Sequence, residues 1–190
     1  MNHALRFTAE KIAKRLSAKK AEKERLAISG ENPAATVPVV YADGKPLTQH
    51  VATARLLSTV HNRSSSDIYA NYVQDMVADE YQGFRDAWVH HAFGATDEEK
   101  ATFKKETLPK QLVKFNAMYE HCKTHTIHMS VSEKNNQPLW GDAALFGLIR
   151  DNILTGLMAR EDLTKYEKLE AMYSAFEKIP AVAGWIDGKK

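Results

Sequence analysis

Val37-Pro38-Val39-Val40-Tyr41-Ala42-Asp43-Gly44-Lys45-Pro46-Leu47-Thr48-Gln49 is the stretch that decides how this chain folds. Val37 to Tyr41 is rich in β-branched and aromatic residues and predicts a strand. Asp43-Gly44 predicts a tight hairpin turn, because glycine takes positive φ without a Cβ clash. Lys45-Pro46-Leu47 returns as a short edge strand, where proline is tolerated. Thr48 is a fitting N-cap for a helix running to about Val60.

Upstream, residues 9–25 read as a helix with Ile12 and Leu16 on one face and a dense set of Lys and Arg on the other. Leu5-Arg6-Phe7 reads as a very short strand before it, and Arg25-Leu26-Ala27-Ile28 as a second strand after it. Ser29-Gly30-Glu31-Asn32-Pro33 is loop chemistry. Downstream, His61 to Ser66 is polar, breaks periodicity and reads as an interdomain linker.

The remainder reads as helical. Over residues 67–92, Ile68, Tyr72, Met76, Phe84 and Trp88 form one stripe, and Tyr69, Val73, Val77 and Tyr81 a second beside it. A face this wide suits a core helix, or one that also meets a partner subunit. Thr96-Asp97-Glu98-Glu99 has the form of a capping box. Leu108, Leu112, Phe115 and Tyr119 carry the next apolar face, and periodicity lapses over 124–138. A helix resumes at Asp142 with Leu145, Ile149 and Ile153. The last holds Leu169, Met172, Tyr173, Phe176 and Ile179. Short strands followed only by helices predict two packed subdomains, at 1–62 and 67–190.

Composition narrows the function. A chain of 190 residues, 44% hydrophobic and 26% charged, builds a core and is not a disordered polymer. A net charge of +2 is too small to imply nucleic acid or membrane. The basic run 11–25 reads as a solvated helix face, and no nucleic-acid module accompanies it. Cys122 is the only cysteine, which excludes an internal disulfide and a multi-thiolate metal site. Together with the absence of a long apolar run, this predicts a cytoplasmic protein. His121, His125 and His128 are spaced for one helix face, as a metal site would need. Thr124, Thr126 and Ile127 are poor helix formers, so the segment reads as a helix end without metal. His90-His91 reads as a solvated helix end.

Three motifs in order resemble one family. The first is Val37-Pro38-Val39-Val40, Asp43-Gly44 and Leu47-Thr48-Gln49. The second is Leu139-Trp140-Gly141-Asp142-Ala143-Ala144-Leu145-Phe146, and the third Ile179-Pro180-Ala181-Val182-Ala183-Gly184-Trp185-Ile186. They are similar to stretches of glutathione S-transferases, the third to the sigma class, as is Glu106 to Leu112. The resemblance runs from Thr36 to the end. It implies an abbreviated thioredoxin-like N-terminal domain followed by an all-α C-terminal domain. It implies glutathione as co-substrate, a hydrophobic electrophile as the other substrate, and a two-fold homodimer through helices 51–60 and 67–92. By the same resemblance, the Val37 backbone beside Pro38 pairs with the glutathione cysteinyl backbone. The helix start at Gln49 and His50 then receives the γ-glutamyl carboxylate.

The chain also departs from that family. His50 stands where the pattern has a Ser hydroxyl. Phe7 falls near the position of the thiol-activating Tyr and has no hydroxyl, which leaves Thr8 as a weak candidate for that role. A stretch between 25 and 36 is short. An incomplete first segment and real divergence both fit the short N-terminus. Gly83, with Gln82 adjacent, stands where the family sends an Asp across the dimer. Leu139 replaces the Ser or Thr cap of the buried helix, a loss of about 1 kcal/mol. Two readings stay open: a transferase conjugating glutathione in detoxification, and a catalytically impaired binding or structural relative.

Overall fold

The computed structural model describes residues 20–36, 38–61, 64–124, 139–186 and 188, without the side chains of 122–124. The chain divides into two compact units, 1–57 and 58–190.

In the N-terminal unit, α1 covers 20–28. It runs through Arg25 to Ile28, where a strand was expected. Two features hold it helical: Glu22 accepts from Arg25 at 2.9 and 3.0 Å one turn apart, and Leu26 is buried. The four-residue run was too short to separate strand from helix by periodicity. The segments 1–19, with the expected first strand and most of the expected first helix, lie outside the described residues. Next come β1 (Val40–Ala42) and β2 (Lys45–Leu47), paired antiparallel with Val40 opposite Leu47 and Tyr41 opposite Pro46. The strand begins later than Val37 suggested; Pro38 has no N–H to give a ladder. Asp43 and Gly44 have φ of 50° and 72°, the paired positive values of a hairpin turn matched to strand twist. Helix α2 follows at His50–Val60.

Every regular element described in the C-terminal unit is helical: α3 (Ile68–Phe93), α4 (Asp97–Thr102), a π-helical turn (Phe103–Thr107), α5 (Leu108–Thr124), α6 (Trp140–Leu154), a 3₁₀ turn (Arg160–Lys165), α7 (Glu167–Glu177) and α8 (Pro180–Ile186). Thr96 and Glu99 form the expected capping box at α4, with Glu99 N donating to Thr96 Oγ1 at 3.3 Å and Thr96 N to Glu99 Oε2 at 2.6 Å. The π turn, closed by Leu108 N donating to Phe103 O, ends at Thr107, two residues before Pro109. Proline brings no N–H and crowds the carbonyl four residues back, so the widened turn accommodates it. Pro180 starts α8 as a first-turn proline, and Ile179 falls between two helices rather than inside one.

The core packs Val73, Val77 and Phe84 of α3 against Leu112, Phe115 and Tyr119 of α5, Leu145 and Ile149 of α6, and Leu169, Tyr173 and Phe176 of α7. Phe146 stacks on Phe176 with ring centroids 4.9 Å apart. The first turns of α3 break the predicted stripe: Ile68 is 73% exposed, Tyr69 59% and Tyr72 55%. Inward at this end of α3 lie Ala70, Val73 and Gln74.

Gln74 revises the reading of Leu139. Leu139 stands at the N-cap of α6 and offers no oxygen. Gln74 Oε1 accepts instead from Gly141 N at 2.8 Å and Asp142 N at 3.1 Å, the two donors a capping side chain would take. Tyr119 donates to Asp142 Oδ1 at 2.5 Å and Gln74 Nε2 lies 3.5 Å from Asp142 Oδ2. The helix is therefore capped from α3, and the expected loss is offset. The close approach needs a glycine: a Cβ on Gly141 would sit 2.7 Å from Gln74 O.

Candidate functional site

The predicted binding residues are Val37, Pro38, Gln49 and His50, all in the N-terminal unit. Val37 and the catalytic candidate Thr8 lie outside the described residues. Pro38 is exposed two residues before β1. Gln49 is exposed and has a φ of 65°, a left-handed conformation that costs a non-glycine residue about 1–2 kcal/mol. Its carbonyl accepts from Thr53 N at 2.9 Å, so Gln49 is the residue that opens α2. Thr48, expected as the cap, lies one residue outside and uses its carbonyl to accept from Thr53 Oγ1 at 3.2 Å. His50, half-buried, begins the first turn. A helix of 11 residues presents unsatisfied N–H groups and positive potential at this end, and a carboxylate fits there.

Upstream of Pro38 lies a polar cluster that sequence reading treated only as loop. Asn32 is 1% exposed. Its Nδ2 donates to Thr36 O at 2.6 Å and Thr36 Oγ1 at 3.1 Å, and its Oδ1 accepts from Ala34 N at 3.2 Å. Glu31 accepts from Tyr41 of β1, from Arg25 at 2.7 Å and from Ser29 at 2.9 Å. Tyr41 foremost, then Arg25 and Ser29, hold the Glu31 carboxyl down at about 2. Glu22, and after it Glu31, push the Arg25 guanidinium up. Ala35, between these anchors, has a φ of 50°. The only sequence signals were the Asn-Pro turn and the Glu22–Arg25 spacing; nothing in the sequence ties Glu31 to Tyr41.

In the helical unit Gly83 is exposed with open space around its Cβ position, and Gln82 is exposed beside it. Among the described residues no group of three or more His, Cys, Asp or Glu is placed to hold a metal, and no helix is long and apolar enough to cross a membrane. His125, His128 and the Cys122 side chain lie outside the described set.

The family model for the glutathione S-transferase C-terminal domain matches residues 82–189, more than half of the chain. The chain belongs to the glutathione S-transferase family. Its fold, a small α/β N-terminal part followed by the family's all-helical domain, is the one expected from the sequence. Among solved structures, prostaglandin synthase D of Nilaparvata lugens is similar at 22% identity and a TM-score of 0.65, over 90% of this chain and 82% of that one. At that identity the likeness speaks for fold alone. No curated protein gives a significant sequence match. The matched segment begins within α3, so Pro38, Gln49 and His50 precede it.

Proposed function

We propose that this transferase-family chain binds glutathione at Val37, Pro38, Gln49 and His50 and conjugates it to hydrophobic electrophiles. The observation that carries the reading is Gln49. An exposed side chain held in a left-handed backbone at a helix mouth is costly, and such strain gathers where a ligand must be met. Pro38, exposed and three residues after the left-handed Ala35, supports the same reading: it lies outside the β1–β2 ladder. In the reaction the glutathione sulfur gives its electron pair to the electrophilic carbon, the leaving group departs with its own pair, and the thiol proton passes to solvent.

On this reading 1–62 is the thioredoxin-like glutathione-binding domain and 67–190 the helical one, in a sigma-like arrangement. The exposed Ile68, Tyr69 and Tyr72 support a two-fold homodimer through α3. A single cysteine suits a reducing, cytoplasmic setting.

A second reading is favoured by Gly83 and Phe7: the protein binds glutathione without turning it over, and serves as a binding or structural relative. Glutathione-affinity capture together with a chlorodinitrobenzene conjugation assay tests both. Capture with turnover is the expected result. Capture without turnover leaves the second reading, and no capture removes both. A Thr8→Ala variant of full activity eliminates Thr8 as the thiol activator.

A further inference from the structure

Pro38 has no N–H, so it cannot anchor itself by donating to a neighbour. The chain on either side of it is anchored instead. Two residues before, Thr36 is held through its carbonyl and hydroxyl by Asn32 Nδ2 at 2.6 and 3.1 Å. Three residues after, Tyr41 donates its hydroxyl to Glu31. Glu31 and Asn32 are adjacent, and both are fixed to the end of α1: Glu31 through Arg25 at 2.7 Å, and Asn32 through its N–H to Leu26 O at 3.0 Å. Leu26 is itself buried. The two side chains thus tie Thr36 and Tyr41, which flank Pro38 in sequence, to one helix.

We propose that Asn32 and Glu31 are positioning residues that set the backbone around Pro38 for glutathione. The inference rests on the glutathione-binding reading above. Asn32 is the principal element. It is buried, its side-chain donor and acceptor have partners, and its carbonyl accepts from Ala35 N at 2.9 Å, where Ala35 has a left-handed φ of 50°. A turn strained in this way persists only where the surroundings hold it. Glu31 is the outer brace, partly exposed, and its single contributions are small because solvent screens them. Holding the segment in its binding form before the ligand arrives removes an ordering cost from association.

The direction of the Asn32 bond gives a specific test. Asn32→Asp keeps the size and the acceptor for Ala34 N but replaces the donor that holds Thr36. Glu31→Gln keeps an acceptor for Tyr41 but loses the charge facing Arg25, and Tyr41→Phe removes the outer brace alone. Reduced glutathione is titrated calorimetrically into the full chain and each variant, with amide exchange followed over 31–41 and kcat and KM for glutathione measured where turnover exists. The expected result is about tenfold weaker glutathione binding for Asn32→Asp, equivalent to about 1.4 kcal/mol. Tyr41→Phe weakens it about threefold and Glu31→Gln by less. Exchange over 33–41 rises in each, and KM increases while kcat holds. Should Asn32→Asp fail to fold, Tyr41→Phe, an exposed change, carries the same test. Wild-type binding with unchanged affinity in the variants overturns the positioning role alone. Absence of wild-type binding overturns the glutathione reading and this role with it.

Discussion

The two units of the chain are held by different means. The helical unit buries Phe84, Phe103, Phe115, Tyr119 and Tyr173 almost completely and has no left-handed non-glycine residue among those described. The described part of the N-terminal unit buries one apolar side chain, Leu26, and places Ala35, Asp43 and Gln49 in the left-handed region. Its loops are shaped by hydrogen bonds that Asn32 donates and Glu31 accepts rather than by apolar packing. Packing supplies stability in the helical unit; among the described residues of the other, polar bonds hold a strained backbone in place. That division matches the work proposed for each: a scaffold, and a surface that must fit a ligand.

The contrast can be broken most forcibly in the helical core. Phe115→Ala empties a position with no solvent exposure and packed against Phe84, so urea unfolding should show a loss of about 3–5 kcal/mol. A loss below about 1 kcal/mol would mean that this core does not carry the unit. Next in size is the cap contributed by α3. Gly141→Ala drives a Cβ into the Gln74 backbone, and Gln74→Leu strands the Gly141 and Asp142 N–H groups. Each should cost about 1–3 kcal/mol. Combining them should cost less than the sum, because they disrupt one contact.

The strained side of the comparison gives a smaller effect of opposite sign. Ala35→Gly relieves a positive φ but loosens the unfolded chain, leaving a net gain of about 0.5 kcal/mol. A clear destabilisation would show that Ala35 is not strained. The smallest effect is acid dependence. The Glu170 carboxyl is held below the ordinary glutamate value, chiefly by its hydrogen bond with Arg160. A depressed folded pKa gives stability that is present above the unfolded value and lost as pH falls through the folded one. Glu170→Gln should therefore be less stable than the parent at pH 7, with the difference closing below about pH 4.5. A gap that does not shrink as pH falls would assign the effect to packing.

Local chemistry was readable in the sequence. The Asp43-Gly44 turn, the Thr96–Glu99 capping box and the buried series Leu108, Leu112, Phe115 and Tyr119 each depend on residues a few positions apart. What escaped was long-range or ambiguous. Gln74 caps a helix that begins 66 positions later at Trp140, and a buried glutamine on a helix face carries no periodic signal. Tyr41 reaches Glu31 only once the loop between them has folded. Arg25 to Ile28 continued a helix because the preceding turn was already formed, a fact its own composition does not hold. At the candidate site, residue types put the cap at Thr48, one residue early; the family resemblance put Gln49 at the helix start, and its left-handed backbone was visible only in three dimensions.

The most direct test of the account is calorimetric titration of reduced glutathione into the wild-type chain and a Gln49→Ala variant at equal thermal stability. The account predicts binding by the wild type and about tenfold weaker binding by Gln49→Ala, from loss of a hydrogen bond to a charged carboxylate. Equal affinity in the two proteins, or no binding by the wild type, would contradict it.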